Sequence, residues 1–542
     1  MTLSQYAGPS VPELPDHTIG EALARAAAEH GDRDALVCVQ QGHRFTYAEL
    51  DAAVDDVARG LVAAGVDKGD RVGIWSPNRS EWVQVQYATA RLGAVLVTIN
   101  PAYRAHELAY VLEQSGTSLL VSAEQFKGAS YRAMVEQVAP TLRTVYLDTP
   151  DWEGLLVRDG EVPERGLLPD EPINLQYTSG TTGFPKGATL SHRNILGNGF
   201  LVGEGCGYTE HDRVCVPVPF YHCFGMVMGN LAALTHGSCV VVPAPSFDPV
   251  ATLEAVSRER CTSLYGVPTM FIAELAEPAF ASYDLTSLRT GIMAGSPCPV
   301  EVMKQVQLFM PEVTICYGMT ETSPVSTQTT ADDTLDRRVS TVGRVHPHVE
   351  VKVVDPVTGA VVERGVAGEF CTRGYSVMLG YWDDPQRTAE AIDADGFMHT
   401  GDLAVMDAGG YLTIVGRIKD LVIRGGENVY PREVEEFLFT HPDVVDAQVI
   451  GVPDPRYGEE LCAWVRLRPG ATLEPAALRE WCRGKLAHYK VPRYIRVTDE
   501  FPMTITGKVQ KFKMRETSVA ELGLQAAAGI VTDGASVAAP PA

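Results

Sequence analysis

The segment from Gln176 to His192 reads QYTSGTTGFPKGATLSH and combines glycines, hydroxyl residues and one lysine without any acidic residue. Glycines let backbone N–H groups come close to an anion, while the hydroxyl groups add hydrogen-bond donors and the lysine adds positive charge. This composition predicts a phosphate-binding loop rather than an ordinary polar surface loop. The residues that would contribute to it are Thr178, Ser179, Gly180, Thr181, Thr182, Gly183, Lys186 and Gly187.

The loop differs from a Walker P-loop, whose pattern is G-x-x-x-x-G-K-[ST]. Counting from Gly180, Pro185 stands where the second glycine belongs, and Gly187 stands where the Mg²⁺-binding hydroxyl belongs. A kinase or GTPase is therefore disfavoured. The loop follows the predicted strand NLQY and precedes a helix predicted to be capped near Ser191. We expect it at the edge where open α/β sheets bind ligands.

Five further residues could complete a nucleotide site. Glu321 follows the predicted strand VTICYG, where a carboxylate can hold Mg²⁺ near phosphates, and Tyr317 could lie against a purine. Asp402, in a predicted tight turn, could accept two ribose hydroxyls with Arg417 beside it, and Lys508 follows a glycine in a predicted loop. Taken singly, each has an ordinary explanation as a solvated acid, a structural turn or an exposed lysine.

Alternating helix and strand patterns predict an α/β protein. FTYAELDAAVDDVARGLVAAG has the capping-box residues Thr46 and Glu49 and is followed by short apolar strand patterns, which favours mainly parallel sheets covered by helices. After Gly416 the pattern changes to a small α+β domain. We predict a large N-terminal domain over residues 18–416, a small mobile C-terminal domain over 417–521 and a disordered tail over 522–542.

Composition excludes several classes of protein. The 542 residues carry a net charge of −23, which argues against nucleic-acid binding because a phosphate backbone needs a basic surface. The 11 cysteines form no C-x-x-C pair, so we expect buried thiols in a reducing compartment rather than a disulfide framework or a zinc site. We expect no signal peptide at the N-terminus, and no apolar run approaches the ~18 residues of a membrane helix. These features predict a cytoplasmic protein.

The order of the motifs YTSGTTGFPKG, YGMTE, TGD, GRIKD with GGEN, and TGK resembles that of the adenylate-forming superfamily. This superfamily includes acyl-CoA synthetases, aryl-CoA ligases, luciferases and adenylation domains. The resemblance extends from about residue 18 to residue 516. Within it, PFYHCFG, RGYSVMLGYW, GGENVYPREVEEFL and GKVQKFKMRE are most similar to medium-chain acyl-CoA ligases.

The resemblance implies ATP and coenzyme A as cosubstrates and Mg²⁺ as a cofactor. The glycine-hydroxyl loop would bind the ATP phosphates. Glu321 would bind Mg²⁺ with Thr178 beside it, Lys508 would bridge carboxylate, ribose and phosphate, and Lys419 would be the hinge between the domains. Further residues would line the adenine slot, the ribose site and the thiol channel. They are Gly295, Ser296, Tyr317, Gly318, Thr320, Asp402, Arg417, Gly425, Gly426 and Glu427.

An apolar acyl pocket is implied by the same resemblance, and we predict a medium-chain monocarboxylic acid as its substrate. Gly225 and Ala294 are expected to leave room in the pocket, while His222 is expected to be a wall or gate rather than a general base. The implied lining is Tyr221, His222, Phe224, Gly225, Met228, Val267, Met293, Ala294 and Met319.

Several alternatives stay open. The chain could be an aryl-CoA ligase, or an acyl-AMP ligase or stand-alone adenylation enzyme that loads an acyl carrier protein. It could also be a nucleotide-binding protein without catalysis. The segment RGGEN and the lack of an extra insertion before the hinge favour CoA as the acceptor, and the presence of Glu321, Asp402 and Lys508 at their motif positions favours an enzyme.

Overall fold

A computed structural model describes residues 2–178, 185–296, 298–425, 427–503 and 509–525. Four main sheets and their covering helices make the chain an α/β protein, as predicted. Three of these sheets are built from residues before 418, and the fourth is built from residues after 421. This arrangement of a large N-terminal part and a small C-terminal α+β part confirms the predicted fold class.

The first sheet has seven strands and is parallel except at one end. That end carries the edges of the glycine-hydroxyl loop, because the strands before and after the loop pair antiparallel with Thr178 opposite Lys186. In sheet order the strands are Gly380–Tyr381, Lys186–Ser191, Pro172–Thr178, Val95–Thr98, Arg71–Trp75, Leu119–Ser122 and Arg143–Tyr146.

The loop precedes a helix capped at Ser191, as predicted, but a strand that the sequence patterns did not predict lies between them. The chain first returns along the sheet as the strand Lys186–Ser191, because Ala188 and Leu190 are buried in the core on that strand. The helix His192–Cys206 begins only afterwards, with Ser191 as its capping residue as predicted. The described edges of the loop, Thr178 and Lys186, are therefore paired ends of two antiparallel strands.

The second sheet has nine strands, six of which form a parallel core. Its strand Glu312–Gly318 confirms the strand predicted at VTICYG. In sheet order the strands are Arg344–Val345, Val325–Gln328, Glu312–Gly318, Thr290–Ala294, Ser263–Gly266, Arg213–Cys215, Cys239–Val242, Asp34–Cys38 and His43–Thr46.

The third sheet is antiparallel throughout, and the sequence patterns did not predict it. Its first strand comes from the N-terminus and pairs with a strand near residue 350, a pairing that no local pattern reveals. The strands, in sheet order, are Gln5–Ala7, Val349–Val354, Gly368–Gly374, Met398–Met406 and Leu412–Arg417.

The fourth sheet forms the C-terminal part of the protein. It is covered by the helices Pro431–Phe439, Pro475–Cys482 and Lys511–Glu521. Its strands are Glu427–Val429, Val422–Arg424, Gly458–Leu467 and Val444–Asp454, with Tyr494–Val497 beside Gly458–Leu467. A separate hairpin, Gln125–Phe126 with Ala129–Ser130, belongs to the large part.

Local sequence signals set several helix ends. Thr46 and Glu49 form the predicted capping box, with the Glu49 N–H donating to Thr46 Oγ1 at 3.2 Å and the Thr46 N–H donating to Glu49 Oε2 at 2.8 Å. The α-helices of the large part are Ile19–His30, Tyr47–Ala63, Ser80–Leu92, Ala105–Ser115, Tyr131–Val138, Pro150–Leu155, His192–Cys206, Cys223–Gly225, Ala232–Leu234, Pro249–Glu259, Pro268–Leu275, Val300–Val306, Leu335–Ser340 and Pro385–Ala391.

Shorter helical segments and the cysteines complete the description. One π-helix covers Met226–Leu231, and 3₁₀ turns cover Phe280–Ser282, Thr320–Thr322, Ile418–Asp420 and His488–Lys490. All eleven cysteines are buried and free of disulfides, as predicted. None of the helices in the described ranges has the length and apolar composition that crossing a bilayer requires.

Candidate active site

Tyr317, Asp402 and Arg417 form one hydrogen-bonded group. The Tyr317 hydroxyl donates to Asp402 Oδ2 at 2.7 Å, and Arg417 Nε lies 3.0 Å from Asp402 Oδ1. Burial, together with the negative charge of Asp402, raises the pKa of Tyr317 well above its usual range, so its hydroxyl remains a donor. Each carboxylate oxygen keeps lone-pair capacity for another donor, such as a ribose hydroxyl.

The third sheet positions this group. Asp402 and Arg417 are directly opposite each other on the strands Met398–Met406 and Leu412–Arg417. The prediction of a tight turn at Asp402 is wrong, because Asp402 lies inside a strand just after Gly401, whose φ is +70°. The register of that strand shifts here against Gly368–Gly374. An irregular strand therefore directs the carboxylate toward Tyr317.

The adenine-slot candidates lie at the carboxyl ends of two neighbouring parallel strands. Gly295 and Ser296 follow Thr290–Ala294, while Tyr317 and Gly318 end the adjacent strand Glu312–Gly318. Gly295 has φ +88°, and a Cβ on Gly318 would lie 1.7 Å from the carbonyl oxygen of Pro324. Thr320 follows in a buried turn. The second sheet thus brings these predicted residues to one edge, as ligand sites in α/β sheets require.

Glu321 is buried in the turn Thr320–Thr322, and Tyr381 contacts it. The Tyr381 hydroxyl donates to Glu321 Oε1 at 2.8 Å, while Lys186 Nζ lies 4.8 Å from the centre of the Tyr381 ring. Burial, with the Glu321 charge adding to it, raises the pKa of Tyr381. Tyr381 therefore connects the lysine of the phosphate loop to the carboxylate that the resemblance assigns to Mg²⁺.

Sequence reasoning missed Tyr381 as a site residue. It belongs to RGYSVMLGYW, a segment that supports the resemblance but to which no role was assigned. Its short strand pairs with Lys186–Ser191, with Tyr381 opposite Ala188. The signal that could have identified Tyr381 was its position in a segment that already supported the resemblance.

We expect Tyr381→Phe to lower kcat/KM for ATP on the order of tenfold, because a hydrogen bond to a charged group contributes about 1.5–3 kcal/mol. The phenylalanine ring would keep the contact with Lys186. Initial rates of pyrophosphate release measure the effect. Tyr375→Phe is the matched control, since the Tyr375 hydroxyl accepts from Asn198 Nδ2, whereas the Tyr381 hydroxyl donates to Glu321. Equal losses in both variants would remove Tyr381 from the site.

The acyl-pocket candidates divide between two faces of the second sheet. Phe224, Met228, Val267 and Ala294 are buried in one apolar cluster, and Met319 packs against it. Met293 is buried in the other cluster. Successive strand residues point to opposite faces, so Met293 cannot line a pocket that Ala294 lines. The inclusion of Met293 in the pocket is therefore wrong.

Tyr265, which sequence reasoning did not single out, contacts two of the predicted pocket residues. Its ring stacks on Phe224 with the ring centres 5.6 Å apart, and its hydroxyl donates to the carbonyl oxygen of Met228 at 2.8 Å. Tyr221 is also buried, which raises the pKa of its hydroxyl. His222 Nδ1 accepts from the Phe224 N–H at 3.1 Å and caps the turn Cys223–Gly225. These contacts give the segment a fixed shape.

Gly225 does not leave room in the pocket, contrary to the expectation. A Cβ at this position would lie 2.5 Å from the carbonyl oxygen of Pro219. The glycine instead permits close packing of two backbone segments.

We predict that Gly225→Ala destabilises the protein by about 1–3 kcal/mol, the usual cost of forcing extra volume into a packed site. Thermal and denaturant unfolding measure this loss. Gly154→Ala is the control, because a Cβ at Gly154 in the helix Pro150–Leu155 meets nothing within 4 Å. A Gly225→Ala protein as stable as the Gly154→Ala protein would show that the backbone approach is not tight.

The predicted hinge and thiol-channel residues lie where the chain leaves the third sheet and enters the fourth. Lys419 is exposed in the 3₁₀ turn Ile418–Asp420, directly after the strand that ends at Arg417. Nearby protein atoms partly desolvate its ammonium group, and this desolvation together with the charge of Arg417 lowers the pKa of Lys419. Gly425 has φ +60°, and its N–H donates to the carbonyl oxygen of Tyr457 at 2.8 Å. Glu427 is exposed at the start of the strand Glu427–Val429.

Several predicted site residues lie outside the described residues. Thr178 and Lys186, at the two edges of the loop, are described and face each other across the hairpin. The remaining loop assignments and two assignments in the C-terminal part stay predictions. They are Ser179, Gly180, Thr181, Thr182, Gly183, Gly426 and Lys508.

The chain matches the family model described as AMP-binding enzyme over residues 23–382 and the model described as AMP-binding enzyme C-terminal domain over residues 433–508. The chain belongs to the AMP-binding enzyme family, and its fold is that of adenylate-forming enzymes. With its acyl-CoA synthetase relatives, this makes it an AMP-forming acid–CoA ligase. ATP and CoA are substrates of the acyl-CoA synthetases in this family.

Three similar proteins illustrate the relationship. YngI of Bacillus subtilis, an acyl-CoA synthetase by name, is 49% identical over 94% of this chain and 98% of its own length. The mitochondrial medium-chain acyl-CoA ligase ACSF2 of Danio rerio is 44% identical over 97% of this chain and 92% of its own length. The solved structure of ATP-bound MatB from Rhodopseudomonas palustris has a TM-score of 0.83 and 33% identity, covering 93% of this chain and 99% of that one.

Proposed function

We propose that this chain activates an apolar, medium-chain monocarboxylic acid as its acyl-AMP and transfers the acyl group to coenzyme A, releasing AMP and pyrophosphate. The observation that carries the choice of acid is the uncharged wall made by Phe224, Met228, Val267, Ala294 and Met319. The name of the Danio rerio relative, a medium-chain acyl-CoA ligase, supports the same choice. The free buried thiols support a reducing compartment, and we propose the cytoplasm.

Two steps solve the chemical problem that a carboxylate is a poor electrophile. A carboxylate oxygen attacks the α-phosphorus of ATP, the bond to pyrophosphate breaks, and acyl-AMP remains. The CoA sulfur then attacks the acyl carbon, the thiol proton is lost to solvent, and AMP leaves. Neither step needs a side-chain nucleophile, so positioning and charge stabilisation dominate the rate.

Different residues of the site would position the substrates and stabilise the charges. We propose that Asp402 accepts ribose hydroxyls while Tyr317 and Arg417 hold its carboxylate in place, as their contacts at 2.7 and 3.0 Å support. Lys186 and Lys508 would balance phosphate charge. Glu321 fits a Mg²⁺ ligand because it is a buried carboxylate beside the hairpin of the phosphate loop, with Thr178 as a further oxygen. Bound there, Mg²⁺ would neutralise phosphate charge.

Pocket chemistry argues against dicarboxylic acids and amino acids. None of the proposed lining residues is Asp, Glu, Lys or Arg, so a second carboxylate or an ammonium group would be buried without a partner, at a cost of several kcal/mol. Each added CH₂ should gain at most ~0.8 kcal/mol until the pocket is full. Met228 and Met319 can repack around different shapes, which allows a range of chain lengths.

The test is kcat/KM for pyrophosphate release across straight-chain acids from acetate to palmitate, with benzoate and malonate, each measured with and without CoA. We expect a maximum at medium chain lengths, with thioester formed only when CoA is present. A preference for malonate would overturn the apolar pocket. A preference for benzoate would make the enzyme an aryl-CoA ligase, and acyl-AMP that is never passed to CoA would point to a carrier-protein acceptor.

A further inference from the structure

A compact group of metal-ligand side chains lies on the third sheet, apart from the residues assigned to the nucleotide and the acid. His399 Nδ1 is 2.9 Å from Glu369 Oε2 and 3.5 Å from Cys371 Sγ. One ligand atom from each of the three side chains lies within 4.8 Å of the other two. A single cation could therefore contact all three with small side-chain movements.

Two neighbouring strands build this group. Cys371 and His399 are directly opposite each other on Gly368–Gly374 and Met398–Met406. Glu369, two residues before Cys371, lies on the same face of its strand. Its second oxygen, Oε1, accepts from the Gly401 N–H at 3.1 Å, which fixes the direction of Oε2. The ligand atoms are thus held by sheet backbone rather than by a loose surface loop.

Asp393 and Lys352 orient the imidazole ring of His399. On the far side of the ring, Nε2 lies 3.5 Å from Asp393 Oδ2, and Lys352 Nζ lies 3.0 Å from the same oxygen. In metal sites the non-ligating ring nitrogen of histidine commonly contacts a carboxylate, which fixes the tautomer and makes the other nitrogen a better ligand. Asp393 and Lys352 supply that arrangement here, leaving Nδ1 directed at Glu369 and Cys371.

The donor set selects the kind of metal. A thiolate, an imidazole and a carboxylate suit Zn²⁺, whereas Mg²⁺ and Ca²⁺ prefer oxygen ligands alone. The thiolate and carboxylate charges would balance the two charges of the ion. Burial, together with the Glu369 charge, raises the pKa of the Cys371 thiol to about 12. The apo-site thiol is thus protonated, and metal binding should release a proton.

We propose that Glu369, Cys371 and His399 form a Zn²⁺ site distinct from the nucleotide-associated Mg²⁺ site. Asp393 would not bind the ion but would hold the His399 ring through its Nε2 atom. With three protein ligands, the ion keeps a fourth position for water, since His399 is about one-third exposed with a side-chain accessibility of 32%. The sequence offers no C-x-x-C signal for this site, because Cys371 and His399 are 28 residues apart and meet only through strand pairing.

Cobalt substitution tests the site directly. Tag-free, full-length protein is stripped with chelator, kept reduced and titrated with Co²⁺ and no nucleotide. We expect a near-ultraviolet thiolate-to-cobalt absorption band that saturates at one ion per chain and disappears when Zn²⁺ is added. Cys371→Ser and His399→Gln should abolish the band, while Asp393→Asn should weaken binding by about 10–100-fold, as loss of the carboxylate that holds a ligating histidine does.

Cys462→Ser is the matched control, because Cys462 is another buried thiol and lies in the C-terminal part of the chain. It should keep the band. If Cys371→Ser fails to fold, His399→Gln decides, and the rise in Tm caused by Zn²⁺ should be lost with it. No thiolate band in the unmodified protein, or a band unchanged in His399→Gln, would overturn the proposal.

Discussion

Replacing Lys508 with alanine is expected to lower the rate of acyl-AMP formation by about 10²–10³, the usual effect of removing one preorganised charge-stabilising donor. The resemblance places this lysine where carboxylate, ribose and phosphate meet during the first step. Thioester formation from supplied acyl-AMP should be largely spared, because the resemblance assigns this lysine to the first step and no pyrophosphate is displaced in the second. Single-turnover assays of the two half-reactions measure the difference.

Lys511→Ala is a matched control for this experiment. Lys511 is a nearby lysine whose Nζ lies 2.6 Å from Glu435 Oε1, within the C-terminal part. Its loss should affect stability more than either half-reaction. Equal losses of both half-reactions in Lys508→Ala would show that Lys508 does not act specifically in adenylation.

Replacing Lys419 with proline should separate the two half-reactions. The resemblance makes this residue the hinge, and in the structure it lies in a 3₁₀ turn between the last strand of the third sheet and the first strand of the fourth. Proline fixes φ near −65° and would hold the chain in one arrangement. Adenylation or thioester formation should persist while overall turnover is lost, since the resemblance implies that the C-terminal part rotates between the two steps.

Lys419→Ala is the control for the hinge, because it removes the same charge and leaves the backbone free. We expect it to retain both half-reactions. An assay with ATP and acid measures adenylation, and a separate assay with acyl-AMP and CoA measures thioester formation. Full overall turnover in Lys419→Pro would show that the chain pivots elsewhere.

Local signals were sufficient for many elements. The helix Tyr47–Ala63 could be predicted because its capping box and apolar periodicity lie within the segment itself. The antiparallel third sheet could not, because the strand Gln5–Ala7 pairs with Val349–Val354 across most of the chain. The hairpin at Lys186–Ser191 was missed for a related reason, since the segment is short and leads directly into a helix.

The candidate site likewise has residues that motifs could identify and residues that only the folded chain reveals. Asp402, Arg417 and Tyr317 could be selected from motifs, and the structure brings them together. Tyr381 could not be selected from spacing, because its partner Glu321 is 60 residues away. The roles of Met293 and Gly225 depend on strand direction and backbone packing, which residue type alone does not reveal.

The most direct test of the account follows one oxygen atom. Octanoate labelled with oxygen-18 in its carboxylate is incubated with the enzyme, ATP, Mg²⁺ and CoA, and the products are analysed by mass spectrometry. A carboxylate oxygen that attacks the α-phosphorus must leave with AMP, so we predict one oxygen-18 atom in each AMP formed and none in pyrophosphate. Unlabelled AMP, or formation of ADP with labelled phosphate, would contradict activation through acyl-AMP.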